Sequence, residues 1–119
     1  AAIIEEAEAT PKELLIEARK VIADPNNWSK RWVAVNKTGK PVQTTSPDAV
    51  AFCSIGAISI TEQKLYGYEN SIVTNLYRQS RDPAVSALNK FMPGTIGGFQ
   101  EIHTHAEVLE AWDKAINSL

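Results

Sequence analysis

The sequence predicts a mainly α-helical, single compact domain of four to five helices, with one small β-hairpin between the first and second helices. Three observations lead to this fold class. The chain has 119 residues, near the commonest size of one domain. Most of its apolar residues recur at helical spacing in segments that open on capping residues. One stretch between two of these segments has the composition of short strands around a glycine turn. We therefore predict a single domain that covers residues 1–119.

The composition excludes several classes of protein. A net charge of −2 argues against a dedicated nucleic-acid binder, whose surface is usually strongly basic. One cysteine excludes an internal disulfide framework and a zinc site built from cysteines alone. The sequence contains no apolar run near the roughly 18 residues that a membrane span needs, so we expect no membrane partner.

The first helix is predicted over residues 11–24. Thr10 and Glu13 form a capping box, and the proline after Thr10 suits the first helical position. Pro25 ends the helix because the residue before a proline avoids the helical region. The apolar face consists of Leu14, Leu15, Ala18, Val21 and Ile22. Residues 1–9 are rich in alanine and glutamate, and they either extend this helix or fray.

A hairpin is predicted between the first two helices. Residues 32–35 favour a strand, and the Lys-Thr-Gly-Lys sequence at 37–40 is typical of a turn in which Gly39 adopts a positive φ. Residues 41–44 form the short return strand. Pro41 cannot donate a hydrogen bond to a neighbouring strand, so this return strand is brief or lies at an edge.

The second helix is predicted to begin at Ser46, which caps it, with Pro47 as the first helical residue. It ends near Tyr66, with Gly67 as its C-terminal cap. Its apolar face is wide and rich in small residues: Ala49, Val50, Phe52, Cys53, Gly56, Ala57 and Ile60. Small residues allow a neighbouring element to approach closely, so we expect this helix to be the central one.

Three further segments complete the chain. A third helix is predicted over residues 69–80, and a shorter one begins at the cap Asp82 and stops at a Met-Pro-Gly sequence. Residues 92–103 have no periodic pattern, and loops of this length are often functional or mobile. The last helix opens on a capping box made by Thr104 and Glu107. Its buried face is predicted to contain Val108, Leu109, Trp112, Ala115, Ile116 and Leu119.

Several segments carry a resemblance to a known family. Among them are Asp48-Ala49-Val50-Ala51-Phe52-Cys53-Ser54-Ile55-Gly56-Ala57-Ile58, Phe99-Gln100-Glu101, and the helix from Ala106-Glu107-Val108 to Ala115-Ile116. The chain is similar to a family of small uncharacterised bacterial and phage proteins catalogued as a domain of unknown function, whose members share the Cys-x-x-Gly-Ala segment. They also tend to carry Trp-Asn-Asp before the last helix, where this chain has Phe-Gln-Glu. The resemblance covers about residues 12–117 and implies no activity and no site residues.

Cys53 is a candidate nucleophile with a structural alternative. The chain supplies His103 and His105 later in the sequence, which is the order found in papain-like hydrolases. However, those folds present the histidine on a sheet, and Cys53 is predicted to lie well inside the second helix, on its apolar face. We therefore favour a buried packing role for Cys53. A small hydrolase that uses Cys53 with His103 or His105 remains the alternative.

A metal site is the second chemical alternative. In an extended segment, alternate side chains share a face, so Glu101, His103 and His105 would converge at the centre of a metal-dependent enzyme. Against this, Thr104 is predicted to cap the last helix, which turns the backbone between the two imidazoles. We therefore predict no metal, no other cofactor and no catalysis.

The hairpin region is the strongest candidate for a binding surface. Residues 25–61 carry four cations and one anion, whereas residues 1–24 and 101–119 each carry three more acidic than basic residues. Trp28 and Trp32 lie among the cations, and basic groups interleaved with aromatic ones also suit nucleic acid. The alternative is that the tryptophans pack the hairpin onto the helices while the cations remain solvated.

Together these patterns predict a small cytoplasmic accessory or interaction protein with no catalysis of its own. The first charged residues are acidic, unlike those of a signal peptide, which favours the cytoplasm. We expect another protein as the partner rather than nucleic acid, and a chain that is a monomer or a homodimer. Docking would use the hairpin and the 93–105 segment through charge steering and aromatic anchors. The predicted contact residues are Trp28, Arg31, Trp32, Lys37, Lys40, Phe99, Gln100 and Glu101.

Overall fold

The computed structural model describes residues 9–67 and 82–119. Within them the elements are α1 (Pro11–Ile22), a 3₁₀ turn (Pro25–Asn27), β1 (Ala34–Val35), β2 (Ala51–Phe52), α2 (Ser54–Tyr66), α3 (Pro83–Phe91), α4 (Ile96–Ile102) and α5 (His105–Asn117). The predicted class, mainly helical with one small antiparallel β pairing, is confirmed. The helix predicted over residues 69–80 lies outside the described residues.

The predicted first helix is confirmed as α1, which packs against α2, α3 and α5. Thr10 caps it, since its hydroxyl accepts a hydrogen bond from the Glu13 amide at 3.1 Å. Its buried residues are Leu14, Leu15, Ala18 and Ile22. The helix ends at Ile22, slightly before the predicted end, and the Asp24 carboxylate then caps the 3₁₀ turn.

The β pairing differs from the predicted hairpin, because β1 pairs with β2 rather than with residues 41–44. The antiparallel register aligns two residue pairs, Ala34 with Phe52 and Val35 with Ala51. Residues 41–44 contribute only a bridge between Pro41 and β1. The Val42 amide donates to the Ala34 carbonyl at 3.0 Å in this bridge, and because Pro41 has no amide hydrogen to offer a further strand, the segment lies at an edge. The predicted glycine turn itself is confirmed, with a φ of +83° at Gly39.

The second helix begins later than predicted, because residues 50–53 join the ladder instead of the helix. The Val50 amide donates to the Val35 carbonyl at 2.9 Å. Ser46 caps only a single turn, in which its hydroxyl accepts from the amide two residues on, at 3.1 Å. Cys53 therefore becomes the N-cap of α2 instead of a residue inside the helix.

Two predicted helix boundaries are confirmed. α2 ends at Tyr66, and the Gly67 that follows has a φ of +92°, a conformation that glycine adopts without strain. α3 begins after Asp82, whose carboxylate accepts from the Ala84 amide at 2.8 Å, and Met92 ends it.

Residues 92–103 are not the unpatterned loop that the sequence predicts, because they contain α4. The Thr95 hydroxyl caps this helix by accepting from the Gly98 amide at 2.9 Å. Gln100 is only 2% exposed, and its side-chain carbonyl accepts from the Ser54 amide at 3.1 Å. This buried bond holds α4 against the first turn of α2. The adjacent glycines concealed the helix, since glycine disfavours helix interiors.

The core lies where α1, α2, α3 and α5 meet. Trp112 is its largest fully buried side chain, and the indole Nε1 donates to the Ser54 hydroxyl at 3.0 Å. Ser54 thus links α5 to α4, since it accepts from Trp112 and donates to Gln100. These bonds satisfy polar groups that are costly to bury unpaired. No helix in the described ranges is both long and apolar enough to cross a membrane.

The capping box predicted for the last helix is confirmed at the start of α5. The Thr104 hydroxyl accepts from the Glu107 amide at 3.1 Å, and the Glu107 carboxylate accepts from the Thr104 amide at 2.8 Å. Hydrogen bonds from Thr104 hold the pKa of Glu107 below its ordinary value. The bond from the Thr104 amide has the larger effect, and the bond from its hydroxyl has the smaller one. The carboxylate bond therefore stabilises the fold at neutral pH and is lost as the pH falls through that lowered pKa.

Thr104→Ala is expected to lower the free energy of unfolding by about 1 kcal/mol at neutral pH, because α5 loses its hydroxyl cap. Urea denaturation followed by circular dichroism measures the change. The control is Thr45→Ala, at an exposed threonine outside the helices, which should cost less than about 0.5 kcal/mol. For Glu107→Gln, the stability difference from the wild type should shrink as the solution is acidified. Equal losses for Thr104→Ala and Thr45→Ala would contradict the capping role.

Candidate interaction surface

An ion pair joins the hairpin region to the end of α4. Arg31 Nε lies 3.5 Å from Glu101 Oε1, and both side chains are exposed. Arg31 precedes β1 in the chain, and Glu101 belongs to the last turn of α4. The two segments that the sequence predicts as one contact surface therefore meet at this pair. Because the pair is exposed, it adds little stability and leaves both groups within reach of a partner.

Apolar side chains are exposed on both sides of this ion pair. Trp32, directly after Arg31, is 48% exposed, and Ile102, directly after Glu101, is 79% exposed. Val33 is exposed as well. Exposed apolar side chains that are grouped in this way often mark interaction sites. Trp32 is among the contact residues predicted from the sequence, whereas Val33 and Ile102 are not, because no periodic pattern places Ile102 on a surface.

Basic side chains precede and follow this apolar group in the hairpin region of the chain. Lys37 and Lys40 flank the turn at Gly39, Lys30 precedes Arg31 in the chain, and all three lysines are exposed. We call the whole the hairpin–α4 surface, and it consists of Lys30, Arg31, Trp32, Val33, Lys37, Lys40, Glu101 and Ile102. Its four cations outnumber its one anion, so the surface attracts negatively charged groups.

Three predicted contact residues lie largely beneath this surface. Trp28 is half-buried, with its ring centroid 5.1 Å from that of His105. Phe99 is half-buried and stacks on His103 with a centroid distance of 3.7 Å. Gln100 is buried by its bond to α2. Trp28 and Phe99 thus remain partly exposed, whereas Gln100 is enclosed between α4 and α2.

The two histidines contact backbone carbonyls in different places. His103 Nδ1 lies 2.6 Å from the Phe99 carbonyl oxygen, within α4. His105 Nε2 lies 2.6 Å from the Ile22 carbonyl oxygen, at the end of α1. A carbonyl oxygen can only accept, so each of these ring nitrogens carries a hydrogen. The His105 imidazole therefore connects α5 to the end of α1, whereas the His103 imidazole closes the C-terminal turn of α4.

The metal set of Glu101, His103 and His105 is not assembled. Glu101 contacts Arg31, and each histidine has one ring nitrogen held by a carbonyl. Across residues 9–67 and 82–119, no three His, Cys, Asp or Glu side chains are grouped to hold a metal ion.

Cys53 lies at the N-terminus of α2, not at the predicted position inside the helix. Its Sγ accepts a hydrogen bond from the Gly56 amide at 3.5 Å, and the residue is 2% exposed. A helix N-terminus can activate a thiol, but a catalytic thiol must also be reached by its substrate. The burial of Cys53 and its capping bond instead give it a structural role.

A family model matches residues 6–118 of the chain. The chain belongs to DUF6197, a family of unknown function. The resemblance to a domain of unknown function is thereby confirmed, and the DUF6197 match contains every residue of the hairpin–α4 surface. No curated protein and no solved structure matches this DUF6197 chain.

A cavity of about 420 Å³ adjoins the start of α4 in this DUF6197 chain. The lining residues are uncharged: Ile55, Val85, Ser86, Asn89, Thr95, Ile96 and Gly97. The hairpin meets α4 at its other end, through Glu101. The cavity is therefore separate from the hairpin–α4 surface.

Proposed function

We propose that this chain is a small, non-catalytic accessory protein of the cytoplasm that docks an acidic protein partner through the hairpin–α4 surface. One observation carries the proposal: Trp32, Val33 and Ile102 are exposed around the Arg31–Glu101 ion pair. Tryptophan and arginine are the residue types that most often dominate the binding energy of protein interfaces. A partner that covers this group removes apolar surface from water, which favours association.

Charge supports an acidic partner. The cations of Lys30, Lys37 and Lys40 are all exposed, so they accelerate the encounter with a negatively charged protein. On contact, a partner carboxylate replaces or joins Glu101 at the Arg31 guanidinium. Arginine suits this exchange because its planar donor group binds a carboxylate through two parallel hydrogen bonds.

A protein partner is favoured over nucleic acid by two features of the same surface. Glu101 places a carboxylate next to Arg31, where it repels a phosphate backbone. Proteins that bind single strands usually offer several stacking aromatics along a basic groove. Here Trp32 is exposed while Trp28 is half-buried against His105, so the pair does not form such a series.

The triple variant Arg31→Glu, Lys37→Glu and Lys40→Glu is expected to abolish partner capture, because it reverses the charge of the surface. The measurement is quantitative mass spectrometry of proteins retained from a lysate of the source cells by the immobilised chain. The matched control reverses three exposed lysines on α1, α2 and α3: Lys12→Glu, Lys64→Glu and Lys90→Glu. Capture that both triple variants reduce equally would reflect net charge alone and would contradict the proposal.

A salt series and Trp32→Ala separate steering from anchoring. Raised salt should slow association, because it screens the lysines. Trp32→Ala should weaken binding at every salt concentration, by about tenfold or more if Trp32 is a hot spot. Binding that neither treatment changes would place the partner elsewhere on the chain.

A further inference from the structure

A groove lies between α1 and α5 and shares no lining residue with the hairpin–α4 surface. It holds about 330 Å³, and its lining residues are Ile16, Arg19, Lys20, Ala23, Asp113 and Ile116. Ile16, Arg19 and Lys20 of α1 and its C-cap Ala23 follow the spacing i, i+3, i+4, i+7, so they form one stripe along the helix. This stripe lies outside the face that α1 buries in the core. Ile16, in the second turn of α1, is 38% exposed.

The charges on this face balance one another. Arg19 Nε lies 2.8 Å from Asp113 Oδ1, an ion pair that crosses from α1 to α5. Two more pairs run along the helices, Lys20 with Glu17 at 2.8 Å and Lys114 with Glu110 at 3.6 Å. The face therefore has three cations and three anions, and both signs are accessible on it.

We propose that this groove binds a second copy of the same chain, in a two-fold symmetric dimer. In such a contact the same face is used by both copies, so it must be complementary to itself. Here one face supplies both an exposed apolar side chain, Ile16, and an apolar groove with Ile116 in its lining. Ile16 of each copy enters the groove of the other.

The charge distribution selects this occupant. A face with balanced charges can meet its own copy with cations opposite anions, whereas two positively charged hairpin–α4 surfaces repel each other. An acidic partner gains little from this balanced face, because Glu17, Glu110 and Asp113 each pair with a cation, and it is attracted to the hairpin instead. A head-to-tail contact would place the groove of one copy against the hairpin of the next. The positively charged hairpin gains little electrostatic attraction from the neutral groove face, so this arrangement is disfavoured.

Sedimentation velocity over a micromolar concentration series tests the dimer with the full chain. The wild type should form a dimer as its concentration rises. Ile16→Glu should raise the dissociation constant of the dimer by about tenfold or more, because it places a charge in the apolar contact. Ile102→Glu makes the same chemical change on the hairpin–α4 surface and should leave the dimer intact. A wild type that is monomeric throughout, or a dimer that Ile16→Glu does not weaken, overturns the proposal.

Cross-linking provides a second test, which detects the dimer directly and does not require a substitution that weakens it. Cys53→Ser removes the native thiol, and serine is a favoured N-cap for α2. In that background, Ile16→Cys treated with a short bismaleimide should give a covalent dimer, and Ile102→Cys should not. Equal cross-linking of the two variants would mean random collision and would overturn the two-fold arrangement. Circular dichroism confirms that each variant is folded.

Discussion

Gly56→Ala is expected to lower the free energy of unfolding by about 3 kcal/mol or more, one of the largest effects of a single methyl group in this chain. A Cβ atom at residue 56 would overlap the Val33 carbonyl oxygen, which is backbone and cannot swing aside as a side chain can. The β1–β2 ladder and the first turn of α2 fix the two sides of this contact. Relief would require α2 to move away from the strand segment, which would open the core beneath it. Urea denaturation followed by circular dichroism measures the loss.

The matched control is Gly97→Ala in α4. A Cβ atom at residue 97 has no heavy atom within 4 Å, and its φ is not positive. Alanine is favoured over glycine in helices, so this variant should gain about 0.5–1 kcal/mol. If Gly56→Ala and Gly97→Ala changed the stability by the same amount in the same direction, close packing against Val33 would not be the reason for glycine at residue 56.

Trp112→Ala is expected to cost about 3–5 kcal/mol, as large aromatic-to-alanine changes in cores do. Trp112 is fully buried where α5 meets the other helices, and its removal leaves a large cavity. It also leaves the Ser54 hydroxyl without its indole donor. Trp112→Phe keeps much of the apolar volume but loses the indole donor. Its smaller loss of stability therefore measures the cost of the lost hydrogen bond and of the volume that phenylalanine leaves unfilled. The same denaturation experiment gives both values.

Trp32→Ala is the control for Trp112→Ala, because it removes the same side chain from an exposed position. Its effect on the free energy of unfolding should lie near the ±0.5 kcal/mol typical of surface changes. The two tryptophans thus separate stability from binding, since Trp32 is the one expected to matter for docking. A Trp32→Ala variant as unstable as Trp112→Ala would contradict the assignment of Trp32 to the surface.

The helix starts were predictable from sequence, because a cap depends on neighbouring residues alone. Thr10, Asp82 and Thr104 all cap helices as predicted. Ser46 offers an equally good local signal, yet it caps a single turn. Residues 50–53 gain ladder hydrogen bonds from β1, a distant segment, and these bonds outweigh the local preference for a helix.

The proposed interaction surface was predictable from sequence in its charge and in Trp32, but not in Val33 and Ile102. Arg31 and Trp32 stand out in the sequence because cations and aromatics cluster around them. Ile102 does not, because its exposure depends on α4, which two adjacent glycines conceal. A polar side chain such as that of Gln100 is expected to be exposed. Here it is buried, because its amide oxygen accepts a hydrogen bond from the Ser54 backbone amide. Such a bond is decided by which helices meet, and no local pattern reveals it.

The graded burial of the three tryptophans gives the chain its own optical reporters. Trp112 is sealed in the core, Trp28 is half-buried, and Trp32 faces the solvent. Indole fluorescence shifts to shorter wavelength when water leaves the ring and to longer wavelength when water reaches it. Docking on the hairpin–α4 surface would therefore shift the emission of Trp32 to the blue, whereas loss of the core would shift that of Trp112 to the red. The direction of the shift distinguishes a bound partner from an unfolded chain without any added label.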